Sequence, residues 1–556
     1  MRRRFLVLSL LLAPLAGCDS KVPNFWQSRN DLLPMVALGD RVAFVERNSQ
    51  TAFVLDPSDT SFKPHMVPVG KAPVAAVKHN GSNQMLVLSH GETGSASVAA
   101  IPAQLQVIDA NPGVVPATYP LAGRFDSLAQ SVDGRFVVLY HSSATQNASD
   151  TGLFNPNEMT IVDFTPPLPA TPGVPKLTTK SIRSLGGVPT RIEFSPVALG
   201  QAGAPALAVV LSQNYVTILD LDTPERTEIS IPLCAQSTGC TYSPDQIVFD
   251  PKFDPSKLPA NLSIYVRAGN AKDIFQITLA FLTTVATGGS NDFHASLSML
   301  SVGANPASMV LYGSGAEARL AVLVPGSKSL VIIDPNTSHV LSVATSIPAN
   351  VLVPFTVSDT ANVQKNQAML VDTVNGSTSV LFADLEQVET TGGLAISDAP
   401  LRAAAGDVRP LVDQGIAVLV LGKLTNISAF TVVEFSTRRF VDIAVSDGFG
   451  SPYFEMRNPS RLWGADSGTG LSYLNLVARP TEATLVHNLV WLDQNITSIQ
   501  ALDQASADGH RYLVVGQSDP NQIGNLTFLD ADHPDRATAR TAYGFLFSNY
   551  LERGQP

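Results

Sequence analysis

Charge is scarce in this chain: charged residues make up 15% of its 556 residues, and acids outnumber bases 47 to 36. A nucleic-acid partner demands a basic face for its phosphates, and a net charge of −11 gives none. The same balance disfavours electrostatic adhesion to anionic lipid headgroups. Cysteine and tryptophan number three each, so no dense disulfide framework holds the fold. No long stretch repeats its apolar residues at helical spacing. The serine-hydrolase elbow Gly-x-Ser-x-Gly is missing; Gly313-Ser314-Gly315 and Ser467-Gly468 come nearest and lack the spacing. Gly70-Lys71 and Gly422-Lys423 lack the phosphate-loop pattern, and no His-Glu-x-x-His occurs. These gaps leave no catalytic residue, no metal ligand and no cofactor to assign.

What is present begins at the N-terminus. Arg2, Arg3 and Arg4 precede an apolar run from Phe5 to Leu15, broken only by Ser9 and Pro14. A cationic start and a short apolar run make a secretion signal, and the run is too short to cross a bilayer as a helix. Leu15-Ala16-Gly17-Cys18 follows and resembles the lipobox of bacterial lipoproteins. The resemblance implies cleavage after residue 17, a diacylglycerol on the Cys18 thiol and acylation of the new amine, as by palmitate. Two or more chains hold a protein firmly to a membrane, whereas one does so marginally. Asp19 resembles the inner-membrane retention signal of enteric bacteria; the rule depends on lineage, so inner and outer membrane both stay open. The expected organisation is a signal peptide at 1–17, lipidated cysteine and tether at 18–34, and a body at 35–550 outside the cytoplasm in the cell envelope. Loss of three arginines with the signal takes the charge to −14, which favours solubility.

An apolar fraction of 45% is that of a globular body with a large core. Cys234 and Cys240 lie in a polar loop containing Gly239. In an oxidising compartment they read as a local disulfide that pins the loop and not the fold. A metal pair is the rival, and it lacks a nearby histidine.

Repeats dominate the rest. An apolar strand, a polar break, a second apolar strand ending in Asp and a turn recur at 85–109, 136–163, 208–220, 321–334 and 512–530. Val, Ile, Leu and Thr in runs of four to six are strand chemistry. The turns are Asp56-Pro57-Ser58, Asp220-Leu221-Asp222 and Asp334-Pro335-Asn336, residues suited to tight corners. A Val-Gly-x-x-Pro mark, or one close to it, recurs at Gly70–Pro73, Gly186–Pro189 and Gly303–Pro306, two repeats apart each time. Ten strand pairs start near Arg41, Gln84, Arg135, Ala206, Leu262, Arg319, Gln367, Gly415, Leu471 and Arg511. This spacing reads as an all-β propeller: one large ring of seven to ten four-stranded blades, or two rings. A solenoid of β-arches and a row of sandwiches fit the spacing less well.

Ser131–Tyr140 (SVDGRFVVLY), the Val-Gly-x-x-Pro marks and the strand-then-Asp phrase resemble YVTN-type, lactonase-like propeller repeats. Such repeats specify a fold and not an activity. The tryptophan docking motif of quinoprotein propellers, a recurring aromatic platform for sugars and the sialidase Asp-box are all missing. Two readings follow. The first is a lipid-anchored envelope propeller that binds or scaffolds an envelope protein through loops on one face. The second is a lactonase-like hydrolase, for which Arg124, Asp126, Arg191, Glu193, Arg409 and Asp413 are the candidates near blade entrances. His79, His90 and His141 flank strand ends and read as solvated. Asp530, Asp532, His533 and Asp535 could hold calcium and equally match the recurrent turn.

Overall fold

The computed structural model describes residues 31–542, apart from 95–98, 143–154, 165–173, 184–186, 235–238, 255, 258, 282–292, 314–316, 359–363, 424–425, 446–448, 456–459, 467, 477–483 and 519–523. The signal, Cys18 and the first part of the tether lie outside the described residues, as does Gly186 of the second Val-Gly-x-x-Pro mark.

The middle strands of each repeat explain the architecture. In blade 4 the second strand, Leu207–Ser212, is buried at every position. Alternate residues of a strand face opposite ways, and here the two faces enter different cores. Leu207, Val209 and Leu211 pack toward the following repeat, while Ala208 and Val210 pack toward the preceding one. A sheet buried on both faces must sit between two other sheets, so repeats of this kind stack side by side until the row closes on itself.

Closure takes ten repeats. Every sheet has four sequential antiparallel strands, and the ten blades stand in a ring. They span 36–68, 73–120, 127–181, 191–232, 243–301, 308–344, 351–400, 405–444, 450–491 and 495–542. Ten apolar clusters fill the ten interfaces, one each. The last interface joins blade 10 to blade 1 through Phe44, Phe53, Tyr512 and Phe528. Among the described residues no strand is exchanged between first and last blade, and side chains and loop contacts close the ring. Gly39 O accepts from the amides of Asp503 and Gln504, each at 2.9 Å, and Lys78 of blade 2 pairs with Asp503.

Nine of the ten expected strand pairs begin at or within a few residues of a blade's second strand. Leu471 instead starts on the third strand of blade 9, because the second, Ser460–Asp466, carries Trp463, Gly464 and Ala465 in place of an aliphatic run. The Val-Gly-x-x-Pro marks lead into blades 2, 4 and 6, which accounts for their spacing of two repeats. Residues 31–34, expected in the tether, lie against blade 1: Leu33 is buried in its core, and Asp31 N donates to Glu46 Oε1 at 3.2 Å.

The recurrent Asp ends the third strand of a blade and ties the next turn. Its carboxylate accepts from backbone amides two or three residues ahead, as in Asp56 from Ser58 (2.9 Å), Asp220 from Thr223 (3.1 Å) and Asp334 from Asn336 (2.9 Å). This is the Asx-turn chemistry that makes Asp favourable at such corners. Asp530 does the same for Asp532 and His533, and its other oxygen meets His510 Nδ1 at 2.7 Å. The carboxylate is thereby committed to the turn, and among the described residues no group of three His, Cys, Asp or Glu side chains could hold a metal ion.

Asp372, buried after the second strand of blade 7, caps its turn through Val374 N (3.1 Å), Asn375 N (2.8 Å) and Ser377 Oγ (2.5 Å). Burial alone would raise its pKa, but these hydrogen bonds outweigh burial and lower it. A carboxylate lowered on folding contributes stability above its unfolded pKa and loses it as pH falls through the folded value. Asp372→Asn should therefore flatten the loss of stability below about pH 4, measured by urea midpoints across the acid range.

Candidate functional site

The four-stranded plan gives the ring two faces. Each first strand starts on what is here called the upper face, and the turn to the second strand lies on the lower face. The first strands are innermost and touch one another around the axis. The inner strands belong to separate sheets and do not pair as a continuous one. Glutamine side chains bridge some of the gaps. Gln130 Oε1 accepts from Asn80 N at 3.0 Å while its Nε2 donates to Lys78 O at 2.7 Å. Gln246 accepts from Met309 N (3.1 Å) and donates to Met309 O (2.8 Å). A primary amide carries the donor and acceptor of a peptide group and here substitutes for one. Gln246→Leu should cost about 1–3 kcal/mol through unsatisfied polar groups, read as a lower denaturant midpoint with an unchanged m-value.

The candidate charges lie in this frame. Arg191 and Glu193 share the first strand of blade 4 and pair with each other; Arg191 also donates to Asp245 O at 3.1 Å. In blade 5 Arg267 meets Asp245 (2.9 Å), Gln246 Oε1 (3.1 Å) and Pro306 O (3.1 Å). Burial lowers the Arg267 pKa and raises that of Asp245, against their mutual attraction. Arg409 pairs with Asp407 at 2.7 Å and lies over the Phe454 ring. Asp126 accepts from Ser142 N at 2.7 Å. Arg124 sits in the connection into blade 3, and Asp413 in the turn after the first strand of blade 8. The structure thus joins Arg191 to Glu193, while Arg409 and Asp413 lie four blades further round. The six do not converge on one reacting position, and nothing in their geometry favours the hydrolase reading.

Two histidines differ from expectation. His79 and His141 are buried, not solvated. His79 Nε2 meets Gly134 O at 2.7 Å under the next blade's turn, with its ring on Phe164. His141 packs on Phe125, and burial chiefly lowers its pKa, with Asp126 opposing and His90 assisting. Neighbouring blades cover these strand ends, which a reading of each repeat alone misses. Cys234 and Cys240 stand with Cα atoms 6.2 Å apart, within disulfide reach.

A concavity of about 580 Å³ opens on the lower face between blades 3 and 4. Its floor is apolar, with Phe136, Phe194 and Leu221; its walls are the turn 131–135 of blade 3 and the segment 195–206 of blade 4. That segment is long because it holds helix α1 (Val197–Gln201), the one α-helix between first and second strands among the described residues. Arg135 lies over the Phe136 ring at 4.3 Å, pairs with Asp163 of its own blade (3.4 Å) and reaches Asp222 across the interface (3.0 Å). Asp133 is exposed at the edge. Val197, 41% exposed, is part of the lining; Val132, 80% exposed, lies in the turn of the opposite wall between the lining residues Ser131 and Asp133. The repeat phrase and turn contain Arg135 and Asp222, but nothing in the sequence signals that they meet.

No family model matches the chain, and no curated protein matches it. Among solved structures it is similar to the dihydro-heme d1 dehydrogenase NirN, at 12% identity and a TM-score of 0.37, over 96% of this chain and 77% of that one. It is also similar to Sqt1 of Saccharomyces cerevisiae, at 8% identity and 0.40, over 90% and 96%. For apo AztD of Citrobacter koseri the values are 11% and 0.32, over 74% and 95%. Likeness this loose assigns no activity.

Proposed function

We propose that the chain is a lipid-anchored protein of the bacterial cell envelope whose propeller binds an envelope protein partner through the groove between blades 3 and 4. The groove carries this reading: a long connection with its own helix, beside exposed valines on a rigid ring, is the usual form of a binding loop on a scaffold. The lipobox-like Leu15-Ala16-Gly17-Cys18 supplies the anchor. The tether joins the body at Asp31 beside Glu46, on the upper face. From Cys18 to there the chain spans at most about 45 Å, and the groove opens on the face away from that attachment.

A photo-crosslinking residue at Val197, with a control at the exposed Val374 on the upper face, tests this in intact cells. The expected result is one discrete adduct from position 197 only, with labelled palmitate incorporated into wild type and not into Cys18→Ser. Equal labelling of Cys18→Ser, or no adduct specific to position 197, would overturn it.

A further inference from the structure

The partner surface that fits the groove can be read from its charge and shape. Among the described residues Arg135 is the one base lining it, whereas Asp133 and Asp222 line it as acids and Asp163 takes a further side of the same guanidinium. The local balance is negative above an apolar floor of Phe136, Phe194 and Leu221. Val197, 41% exposed, extends apolar surface up the rim on the blade 4 side. A segment that is only apolar would take the exposed Asp133 carboxylate out of water, which is costly. An acidic segment would meet like charge.

We infer that the groove takes a segment of a protein partner in which lysine or arginine alternates with large apolar residues. A cationic side chain reaches the exposed Asp133 at the edge, and the apolar ones lie on Phe194 and Val197. Long cationic side chains suit this site because their aliphatic stems cover apolar surface while their charged ends remain at the rim. The inference rests on the groove's being the partner site, and adds the partner's chemistry.

The test uses the full-length protein in detergent and a fluorescein-labelled octapeptide alternating leucine and arginine, followed by anisotropy. A leucine–glutamate octapeptide is the control. Two variants alter the groove without touching its ion pairs. A Cβ on Gly200 meets nothing within 4 Å, so Gly200→Trp fills the space. Val132 is 80% exposed and adjoins the lining residue Asp133, so Val132→Lys adds opposing charge beside that carboxylate and leaves the core intact. The basic peptide should bind wild type at least tenfold more tightly than either variant, and binding should weaken from 50 to 300 mM salt because these charges are exposed. Equal binding of the acidic peptide, or unchanged affinity in both variants, would overturn the inference. If the crosslink at position 197 forms while the basic peptide fails to bind, the partner site stands and this chemistry falls. If neither is seen, both fall.

Discussion

Phe528→Ala should lower unfolding stability by about 3–5 kcal/mol, the cost of emptying a buried aromatic site, and should do so by loosening one seam. Phe528 is wholly buried and stacks on Phe62 at 5.3 Å. It lies in the cluster that joins blade 10 to blade 1. Each other interface joins blades already linked by a connection of the chain. The seam alone unites ends that the chain does not hold together: Ser506 Oγ reaches Asp40 O across 466 residues. Closing a flexible chain of that length costs about 5 kcal/mol by the logarithmic loop term, an upper guide here because folded blades stiffen the row. Phe382→Ala, an equally buried change between blades 7 and 8, makes the control. Both variants should unfold at lower denaturant. Only Phe528→Ala should speed hydrogen exchange selectively in blades 1 and 10. Uniform acceleration around the ring would show that the seam is no weaker than its neighbours.

Arg511→Met should cost a similar 3–5 kcal/mol, for an electrostatic reason. Arg511 and Glu455 are 6% and 3% exposed and pair across the interface of blades 9 and 10. Arg511 also binds Asp532 at 2.5 Å and Leu502 O at 3.3 Å, while Glu455 accepts from Trp463 Nε1 at 2.8 Å. Removing the guanidinium leaves the Glu455 carboxylate buried without its countercharge. Glu455→Gln in the same chain removes that charge and keeps an acceptor for Trp463. The double variant should therefore be more stable than Arg511→Met alone, and with Glu455→Gln measured alone as well the double-mutant cycle gives the coupling. A double variant no better than the single would show that packing, not charge, dominates at this interface.

Legibility followed distance along the chain. The strand runs, the Asp that closes most third strands and the two-repeat spacing of the Val-Gly-x-x-Pro marks are local, and the structure places them as read. Asp220 binds the amide of Thr223, three residues on, so its role is written in the turn itself. Blade 9 was the exception, since Trp463 and Gly464 obscure an otherwise regular second strand. The site was less legible. Arg135 and Asp222 were visible as parts of a repeat and a turn, yet they meet from different blades. His79 looked solvated because the turn that covers it, at Gly134, belongs to the next repeat.

The amino-acid order alone determined that this chain forms repeated four-stranded sheets, because alternation of apolar residues and turn chemistry act within a few positions. It also holds the Arg-rich start, the apolar run and the Leu15-Ala16-Gly17-Cys18 motif, local patterns on which the proposal of export and anchoring rests. Only the tertiary structure decided that ten sheets close in a single ring, that glutamines bridge its inner strands and that a groove opens between blades 3 and 4. Those outcomes depend on how each sheet leans on the next, a sum over side-chain contacts between segments dozens to hundreds of residues apart, which no local pattern records.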